Sequence, residues 1–450
     1  MENKKRPYER PIITKSDAGI TDKFGLRPQV PVISEIDGMQ ITDLIEKYGS
    51  PLFIFSEKTI RETYNKAKRA FTTRYPKVQF TWSYKTNYLN AICKIFHSEG
   101  SWAEVVSGFE FDKALSNGIP GNKIIFNGPG KTKADLQKAI NHGAYIHVDH
   151  FDELYDIFEI AKTSEKRPKL AIRINMNTGI YPVWDRFGFN YENGEAWNAI
   201  NRIMLNDKVD LVGLHTHIGT YIMTPEPHGV AATKLAELAV KIKKKFGHNI
   251  NYIDIGGGFA SENTLKGAYL PGRDTFPGFD GYAESITNAL INSEISPDDL
   301  PVLFLETGRA LIDDSGYLAG TVIATKRLPN GMRSLIIDAG VNLLFTSFWY
   351  EHEIYPAQET GSSTEDTVIY GPLCMNIDVI RSAIRFPALK KGDHYVIKRV
   401  GAYNVTQWMQ FISLRPNVIL IDTQGNSHII RHKEQLETIT SLEETPEYMK

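Results

Sequence analysis

Eight short apolar runs lie between about residue 78 and residue 309, and helical stretches separate them. Each run ends in, or carries near its end, a side chain or a glycine segment suited to catalysis or binding. The eight runs are Phe80–Lys85, Trp102–Ser107, Ile124–Asn127, Tyr145–Asp149, Leu170–Asn175, Val212–Gly219, Tyr252–Phe259 and Val302–Gly308. In a (β/α)8 barrel, the functional groups lie at the carboxyl ends of the parallel strands. The alternation therefore predicts an α/β fold with a (β/α)8, TIM-like barrel.

The rest of the chain divides into segments of different character. Residues 1–30 are polar and aperiodic, which predicts an N-terminal arm. The barrel is assigned to residues 51–309. Residues 31–50 and 310–450 favour strands and predict a second, β-barrel-like domain. A chain of 450 residues is long enough to build two such domains.

Charge and composition narrow the classes of function. A formal net charge of -2 gives no electrostatic reason to expect a nucleic-acid partner. No apolar run approaches the roughly 18 residues that a transmembrane helix needs, and no signal peptide is expected. The two cysteines, Cys93 and Cys374, are too few for a disulfide framework. We expect a cytoplasmic protein that binds a small molecule and has neither a nucleic-acid nor a membrane partner.

Lys85 ends the first run, and strand alternation places it on the same face as Thr81 and Ser83. A lysine that points inward at the mouth of a barrel would be partly desolvated. Desolvation lowers the pKa of an amine and makes it nucleophilic toward an aldehyde. Because most lysines are solvated surface residues, this interpretation depends on the other parts of the site.

The triplet Gly256-Gly257-Gly258 follows the seventh run. Barrels of this kind commonly bind phosphate there through bared backbone N–H groups, since no Cβ holds the anion away. Thr220 would add a hydroxyl donor. A glycine triplet by itself could equally be a flexible turn. The prediction of a phosphate site therefore rests on its position after the seventh run.

Glu306 stands at the end of the eighth run. A carboxylate there would keep a pyridine nitrogen protonated, so that the ring accepts electrons from a carbanion. Together with Lys85 and the glycine triplet, this residue type suits pyridoxal 5′-phosphate (PLP). An ion pair between Glu306 and Arg309 is the alternative. Arg309 would otherwise bind a phosphate or a substrate carboxylate.

Two further residue types have open interpretations. His215 and His217 project from one face of a strand, and such a pair is compatible with zinc. No third ligand with convincing spacing appears, and a neutral His217 imidazole stacked on an aromatic cofactor accounts for the pattern equally, so we predict no metal. Cys374 is either an inert buried thiol or an acid that returns a proton to the substrate carbon.

Taken together, these segments resemble the fold-type III PLP-dependent decarboxylases, the family of diaminopimelate, ornithine and arginine decarboxylases. The resemblance extends from about residue 33 to residue 431, and the overall pattern is most similar to that of the diaminopimelate decarboxylases. It rests on seven segments in the family's order: Tyr84-Lys85-Thr86-Asn87, Glu104-Val105-Val106-Ser107-Gly108, His215-Thr216-His217-Ile218-Gly219-Thr220, Asp254-Ile255-Gly256-Gly257-Gly258-Phe259, Glu306-Thr307-Gly308-Arg309, Gly371-Pro372-Leu373-Cys374 and Gly401-Ala402-Tyr403. The family usually has alanine in place of Thr86 and proline in place of Thr307.

The resemblance implies a PLP enzyme with an alanine racemase-like barrel. Lys85 would anchor PLP, and Cys374 would protonate the substrate carbon after CO2 leaves. In this family the β-domain of one subunit donates the cysteine segment to its partner's barrel, so a homodimer with shared active sites is expected. The cofactor-binding residues would be Lys85, Glu104, Arg173, His217, Thr220, Gly256, Gly257, Gly258, Glu306, Arg309 and Tyr403.

The residues expected around the substrate depart from the family pattern. The family places an Arg-Pro pair where Thr346-Ser347 stands and a glutamate where Met375 stands. Losing both removes the charged contacts to the far end of diaminopimelate, each worth roughly 1.5–3 kcal/mol. Asp378 remains to bind one cation. The substrate-binding residues would be Arg309, Tyr350, Met375 and Asp378.

We therefore expect a decarboxylase that acts on a modified or conjugated amino acid. A true diaminopimelate decarboxylase is the main alternative. An amino-acid racemase would need a second base, typically a tyrosine, where this chain has the segment ending in Cys374. A non-catalytic PLP-binding barrel would keep Lys85 and the glycine triplet but would not need Cys374.

Overall fold

The computed structural model describes residues 31–360 and 364–450, so the predicted N-terminal arm over residues 1–30 lies outside the described residues. The described chain begins with a two-stranded hairpin, a helix, a strand and a longer helix. These elements are β1 (Glu35–Ile36), β2 (Met39–Gln40), α1 (Ile41–Tyr48), β3 (Leu52–Ser56) and α2 (Glu57–Thr72).

Eight parallel strands then form a closed barrel. Each pairs with the next along the chain, and the last pairs with the first, which closes the ring. The barrel strands are β4 (Val78–Ser83), β5 (Trp102–Val105), β6 (Ile124–Phe126), β7 (Tyr145–Val148), β8 (Lys169–Asn175), β10 (Asp210–His215), β11 (Tyr252–Asp254) and β12 (Val302–Leu305), and β9 (Phe189–Asn190) adds a short pairing to β8. Each of the eight predicted runs overlaps a barrel strand, so the predicted (β/α)8 fold is confirmed.

Helices connect the barrel strands. For example, α5 begins at a capping box made by Thr132 and Asp135 and ends at Gly143, whose φ of 72° lies in the left-handed region. None of the helices in the described ranges is long and apolar enough to cross a membrane. The helices are α3 (Asn90–Ser98), α4 (Gly108–Ser116), α5 (Lys133–His142), α6 (Phe151–Ala161), α7 (Glu195–Met204), α8 (Glu226–Phe246), α9 (Gly272–Thr275), α10 (Gly278–Ile291), α11 (Arg309–Ile312) and, near the C-terminus, α12 (Leu436–Thr440).

The second domain is built on a mixed sheet. Its strand order is β17-β16-β14-β13-β3-β19-β20, and β18 pairs with both β13 and β15. The strands that follow the barrel are β13 (Gly316–Arg327), β14 (Arg333–Ile337), β15 (Ile354–Pro356), β16 (Thr364–Tyr370), β17 (Val379–Pro387), β18 (His394–Lys398), β19 (Val418–Ile421) and β20 (Ser427–Arg431).

Two assignments near the start of the chain differ from the predicted boundaries. Strand β3, placed in the barrel by the predicted range 51–309, pairs instead with β13 and β19 of the second sheet. Residues 31–50, predicted to favour strands, contain the eight-residue helix α1, because its buried residues Ile41, Leu44 and Ile45 recur at helical spacing.

The second domain holds the turn that carries Lys85. The N–H of Tyr403 donates to the carbonyl oxygen of Thr86 at 2.9 Å, and Thr406 Oγ1 donates to that of Lys85 at 2.9 Å. Arg399 of the second domain links the domains further, since its guanidinium lies 2.5 Å from Glu262 of the barrel domain and 2.8 Å from Glu353 of its own domain. The carboxyl ends of the barrel strands therefore face a fixed surface of the second domain.

Candidate active site

Lys85 lies just beyond β4, in a single 3-10 turn over Tyr84–Thr86. Its Nζ atom donates to both carboxylate oxygens of Glu104, at 2.9 and 2.8 Å. Glu104 pairs in register with Ser83 of the neighbouring strand, and its side chain is fully buried. The Lys85 side chain is 36% exposed, so it reaches this buried carboxylate from the open end of the barrel.

The expectation that the pKa of Lys85 is lowered is wrong. Burial acts in that direction, but the negative charges of Glu104 and Glu306 outweigh it and raise the pKa of Lys85. The resting side chain is therefore an ammonium ion held by Glu104. A proton must leave it before its nitrogen can act as a nucleophile.

Asn127 connects the two acidic side chains of the site. It stands directly after β6, and its Nδ2 atom donates to Glu104 Oε1 at 3.0 Å and to Glu306 Oε1 at 2.5 Å. Ser83 Oγ donates to Glu104 Oε2 at 2.5 Å. Residues at the ends of four barrel strands thus share one hydrogen-bond network, which fixes both carboxylates.

Glu306 follows β12 and faces two buried imidazoles. His215 Nε2 lies 3.5 Å from Glu306 Oε2, and His147 Nδ1 lies 3.8 Å from Glu306 Oε1. The alternative ion pair between Glu306 and Arg309 is not formed, because Arg309 Nη1 instead lies 3.4 Å from Asp313 Oδ2. Glu306 is therefore free to face a cationic group in the barrel mouth.

His147 is a site residue that the sequence pattern did not identify. It is the third residue of β7, and its side chain is buried within the barrel. A histidine in an otherwise apolar strand is more often a satisfied core residue than a functional one. The signal that could have identified it is the position of its strand, because β7 lies between β6 and β8, and both of these strands lead to site residues.

The glycine triplet forms a tightly packed turn after β11. Gly256 and Gly258 have positive φ angles of 68° and 89°. A Cβ atom on Gly257 would lie 2.6 Å from the carbonyl oxygen of Glu306, and one on Gly258 would overlap that of Gly219. Only glycine fits at these positions, so the turn leaves a cradle that a side chain would fill.

Two N–H groups of this turn are open. Those of Gly258 and Phe259 donate to no protein acceptor among residues 31–360 and 364–450. Thr220, predicted to add a hydroxyl donor, is exposed in the loop that packs against Gly258. Open N–H groups at a glycine turn suit an anionic ligand.

His217 is oriented by the same turn. The N–H of Gly257 donates to His217 Nδ1 at 3.0 Å, which places the ring proton on Nε2. Burial, together with the positive charges of Arg173 and Lys85, lowers the pKa of His217 well below its ordinary value. His217 is therefore a neutral ring, as stacking on an aromatic cofactor requires. Trp184 contacts it with ring centroids 5.6 Å apart.

Arg309 is surrounded by tyrosines. Its guanidinium lies 4.8 Å from the ring centroids of Tyr350 and Tyr403, and 5.9 Å from that of Tyr221. Its Nε atom is buried and has no hydrogen-bond partner in the described part of the chain. The structure thus joins Arg309, Tyr350 and Tyr403, which are far apart in sequence.

Arg173 extends from β8 toward the same end of the barrel. Its Nη1 atom lies 3.5 Å from Asp149 Oδ1, and its guanidinium stacks over Phe187 at 4.4 Å. The side chain is nearly buried. A guanidinium fixed in this way adds positive charge to a site that already contains Glu104 and Glu306.

The cysteine segment forms no hydrogen bond with this network among residues 31–360 and 364–450 of the single chain. Cys374 is exposed on the second domain, and Met375 beside it is half-buried. Ile377, two residues further on, is also exposed. The Cys374 thiol is therefore accessible on the surface of the single chain.

Asp378 is used to hold this segment in place. Its carboxylate accepts hydrogen bonds from the N–H groups of Val341, at 2.8 Å, and Leu373, at 2.7 Å, and its side chain is buried. Gly371 packs directly against the carboxylate. Two acceptor positions of Asp378 thus serve the backbone, and its role in binding a substrate cation stays a prediction.

We expect Asp378→Ala to lower the free energy of unfolding by about 3 kcal/mol, because it leaves two buried N–H groups without an acceptor. Urea denaturation followed by circular dichroism measures the change. Asn376→Ala, an exposed change in the same segment, is the matched control and should have no effect. Wild-type stability combined with weakened substrate binding would contradict this structural role and would support the predicted role of Asp378 in binding substrate.

Comparison with known proteins decides the family. Residues 57–313, more than half of the chain, match the sequence model described as "Pyridoxal-dependent decarboxylase, pyridoxal binding domain". The chain belongs to the pyridoxal-dependent decarboxylases. This confirms the predicted family.

The similarity extends over nearly the whole decarboxylase. Diaminopimelate decarboxylase of Methanocaldococcus jannaschii is 30% identical over 436 residues, covering 92% of this chain and 95% of that protein. The Bacillus subtilis enzyme is 28% identical over 423 residues, covering 91% and 94%. The crystal structure of the M. jannaschii enzyme superposes with a TM-score of 0.85 at 28% identity, covering 93% of this chain and 98% of that one.

The protein is a PLP-dependent amino-acid decarboxylase, and its site fits the cofactor. The barrel mouth contains an amine on Lys85, a carboxylate on Glu306 and a glycine cradle with open N–H groups. These are the groups that the aldehyde, the ring nitrogen and the phosphate of PLP require. The predicted cofactor is confirmed by the family.

Proposed function

We propose that this decarboxylase acts on an amino acid of the diaminopimelate type whose far end is modified or conjugated. The observation that carries the proposal is the environment of Thr346, where the family places arginine. Thr346 is fully buried, and its Oγ1 atom lies 2.8 Å from His352 Nε2 and 2.9 Å from Asn404 Oδ1. A neutral, internally bonded hydroxyl replaces the cation that would grip a distal carboxylate.

The nearby guanidinium of Arg381 does not replace that cation. It donates to the carbonyl oxygen of His352 at 3.0 Å and lies 3.5 Å from the carboxylate of Glu351. Its charge is thus already engaged by protein groups. This supports a substrate without a free distal carboxylate.

Two apolar side chains, those of Trp349 and Met375, support the same conclusion. Trp349 is 46% exposed, next to the buried Tyr350, and packs edge-on against Phe345 with centroids 5.2 Å apart. Met375 stands where the family has a glutamate. Such surfaces suit a substrate side chain that is longer and less charged than that of diaminopimelate, which ends in an ammonium and a carboxylate group.

Bound PLP supplies an electron-accepting ring for the electrons left when the Cα–carboxylate bond breaks. In our proposal Lys85 would anchor the cofactor, and Glu306 would hold the positive ring nitrogen. The neutral imidazole of His217 would cover one face of the ring. Glu104 accepts and returns the proton of Lys85, to which it is already hydrogen-bonded in the structure.

The phosphate would be bound by the Gly256–Gly258 turn with Thr220, and by Tyr403. Arg309 then binds either this phosphate or the substrate carboxylate, next to Tyr350. Arg173 adds positive charge on the opposite side of the barrel mouth. Each of these groups binds or orients, whereas proton transfer is left to Lys85, Glu104 and Cys374.

We infer that the enzyme is a homodimer in which each barrel receives Cys374 and Met375 from its partner. The exposure of the segment in the single chain supports this, because a catalytic thiol must reach the substrate carbon. Exposed Ile377 is an apolar group that such an interface would cover.

A CO2-release screen tests the substrate. Diaminopimelate, lysine, ornithine, arginine and N-acylated or otherwise conjugated diamino acids should be compared with the PLP-loaded enzyme. We expect a conjugated diamino acid to give the highest kcat/KM. The proposal fails if diaminopimelate is turned over with kcat/KM of about 10⁴ M⁻¹s⁻¹ or more, the ordinary range for an enzyme on its own substrate. Inversion at Cα without CO2 release would instead indicate a racemase.

A further inference from the structure

Two buried imidazoles bracket the carboxylate of Glu306 from inside the barrel. His147 faces one oxygen at 3.8 Å, and His215 faces the other at 3.5 Å. All three side chains are at most 3% exposed, and the two imidazole centroids are 4.5 Å apart. We call His147 and His215 the imidazole bracket.

The proton on His147 can be assigned from its neighbours. Its Nε2 atom lies 2.9 Å from the hydroxyl oxygen of Tyr252, whereas its Nδ1 atom has no hydrogen-bond partner among the described residues. If Nε2 carried the proton, the lone pair of Nδ1 would face the Glu306 carboxylate, which is repulsive. We therefore infer that Tyr252 donates its hydroxyl proton to Nε2 and that Nδ1, 3.8 Å from Glu306 Oε1, carries the ring proton.

The state of Tyr252 agrees with this assignment. Burial raises the pKa of Tyr252 well above its ordinary value, so the hydroxyl keeps its proton. Burial also lowers the pKa of His147 and of His215 well below the ordinary value, so both rings are neutral. The bracket thus presents dipoles to Glu306 without adding a charge that would neutralise it.

We propose that His147, oriented by Tyr252, is a positioning residue that works with His215 to keep Glu306 directed at the ring nitrogen of PLP. The proposal rests on the role proposed above for Glu306. The distances of 3.5 and 3.8 Å are too long for hydrogen bonds, so the effect is electrostatic and steric. Among buried side chains such dipoles act more strongly than in water.

The same three side chains place ligand atoms within 4.8 Å of one another, a spacing that a divalent metal ion also accepts. A metal is the less favoured interpretation, because Tyr252 fixes the His147 proton on the nitrogen that faces Glu306. That nitrogen would have to lose its proton to bind a metal.

The experiment measures the protonation of the cofactor directly. The enzyme is loaded with PLP carrying ¹⁵N in its ring, and the ¹⁵N chemical shift is compared among wild type, Glu306→Gln and the His147 and Tyr252 variants. His147→Leu removes the N–H group, whereas His147→Asn keeps a donor near the Nδ1 position. Tyr252→Phe removes only the hydroxyl and leaves the ring stacked on Phe304, with centroids 4.6 Å apart.

We expect the wild-type shift to be that of a protonated ring nitrogen. It should move toward the unprotonated value in His147→Leu and Tyr252→Phe, and return toward wild type in His147→Asn. In the cofactor-free enzyme labelled with ¹⁵N-histidine, His147 should show the Nδ1–H tautomer and lose it in Tyr252→Phe. This last measurement decides the proposal even if His147→Leu does not fold.

An Nε2–H tautomer of His147 in the wild-type enzyme would overturn the proposal, and so would any of three further results. The first is a ¹⁵N ring shift that stays at the wild-type value in His147→Leu and Tyr252→Phe but changes in Glu306→Gln. That result would refute the bracket and leave the role of Glu306 intact. The second is an unchanged shift in Glu306→Gln, which refutes the role of Glu306 and the bracket with it. The third is one equivalent of bound transition metal that is lost in His215→Ala.

Discussion

Lys85→Ala is expected to lower kcat/KM by about 10³-fold or more and to leave an enzyme that retains no PLP after borohydride reduction. Lys85 supplies the amine at the barrel mouth, 2.8 Å from the Glu104 carboxylate that can take its proton. The measurement pairs a CO2-release assay with mass spectrometry of the reduced, digested protein. In the wild type, the modified peptide should be the one that contains Lys85.

Lys85→Arg is the matched control for charge. It keeps a cation beside the buried Glu104, so the fold should survive, but a guanidinium does not become a nucleophilic amine. Both variants should therefore lose covalently retained PLP, and only Lys85→Ala should also lose thermal stability. If Lys85→Arg still carries reducible PLP, a different lysine is the anchor, and the assignment of Lys85 is wrong.

The barrel could be predicted because its signals are local. Each strand is a short apolar run, and each is followed by a polar, charged or glycine segment that is unusual in a hydrophobic core and typical of a binding site. Strand β3 lacks such a signal, since all five of its residues, Leu52–Ser56, are buried. A fully buried strand shows no alternation, and its partners β13 and β19 lie more than 250 residues further along the chain.

The features of the site that the sequence did not show share one cause. The groups that determine them are distant in the sequence or belong to the backbone. His147 belongs to the site because it lies next to Glu306 and Tyr252, which come much later in the sequence. Asp378 accepts hydrogen bonds from two backbone N–H groups, and a sequence does not show where such groups point. The pKa of Lys85 likewise depends on carboxylates from two other strands.

Cys374→Ala is expected to lower product formation by about 10²–10⁴-fold, the usual contribution of a proton-transfer group. The shared-site arrangement makes a sharper prediction. Lys85→Ala and Cys374→Ala dimers should each be nearly inactive, because every site in them lacks one of the two groups. Mixing them under conditions that exchange subunits should restore activity.

The size of the recovery follows from counting subunits. Equal mixing makes half of the dimers mixed, and each mixed dimer has one site with both groups and one with neither. Activity should therefore rise to about a quarter of the wild-type value. Mixing Lys85→Ala with a Lys85→Ala,Cys374→Ala double variant is the control and should stay inactive. No recovery in the first mixture, with subunit exchange verified by native mass spectrometry, would show that Cys374 does not serve the partner's barrel. The exposed position of Cys374 in the single chain would then need another explanation.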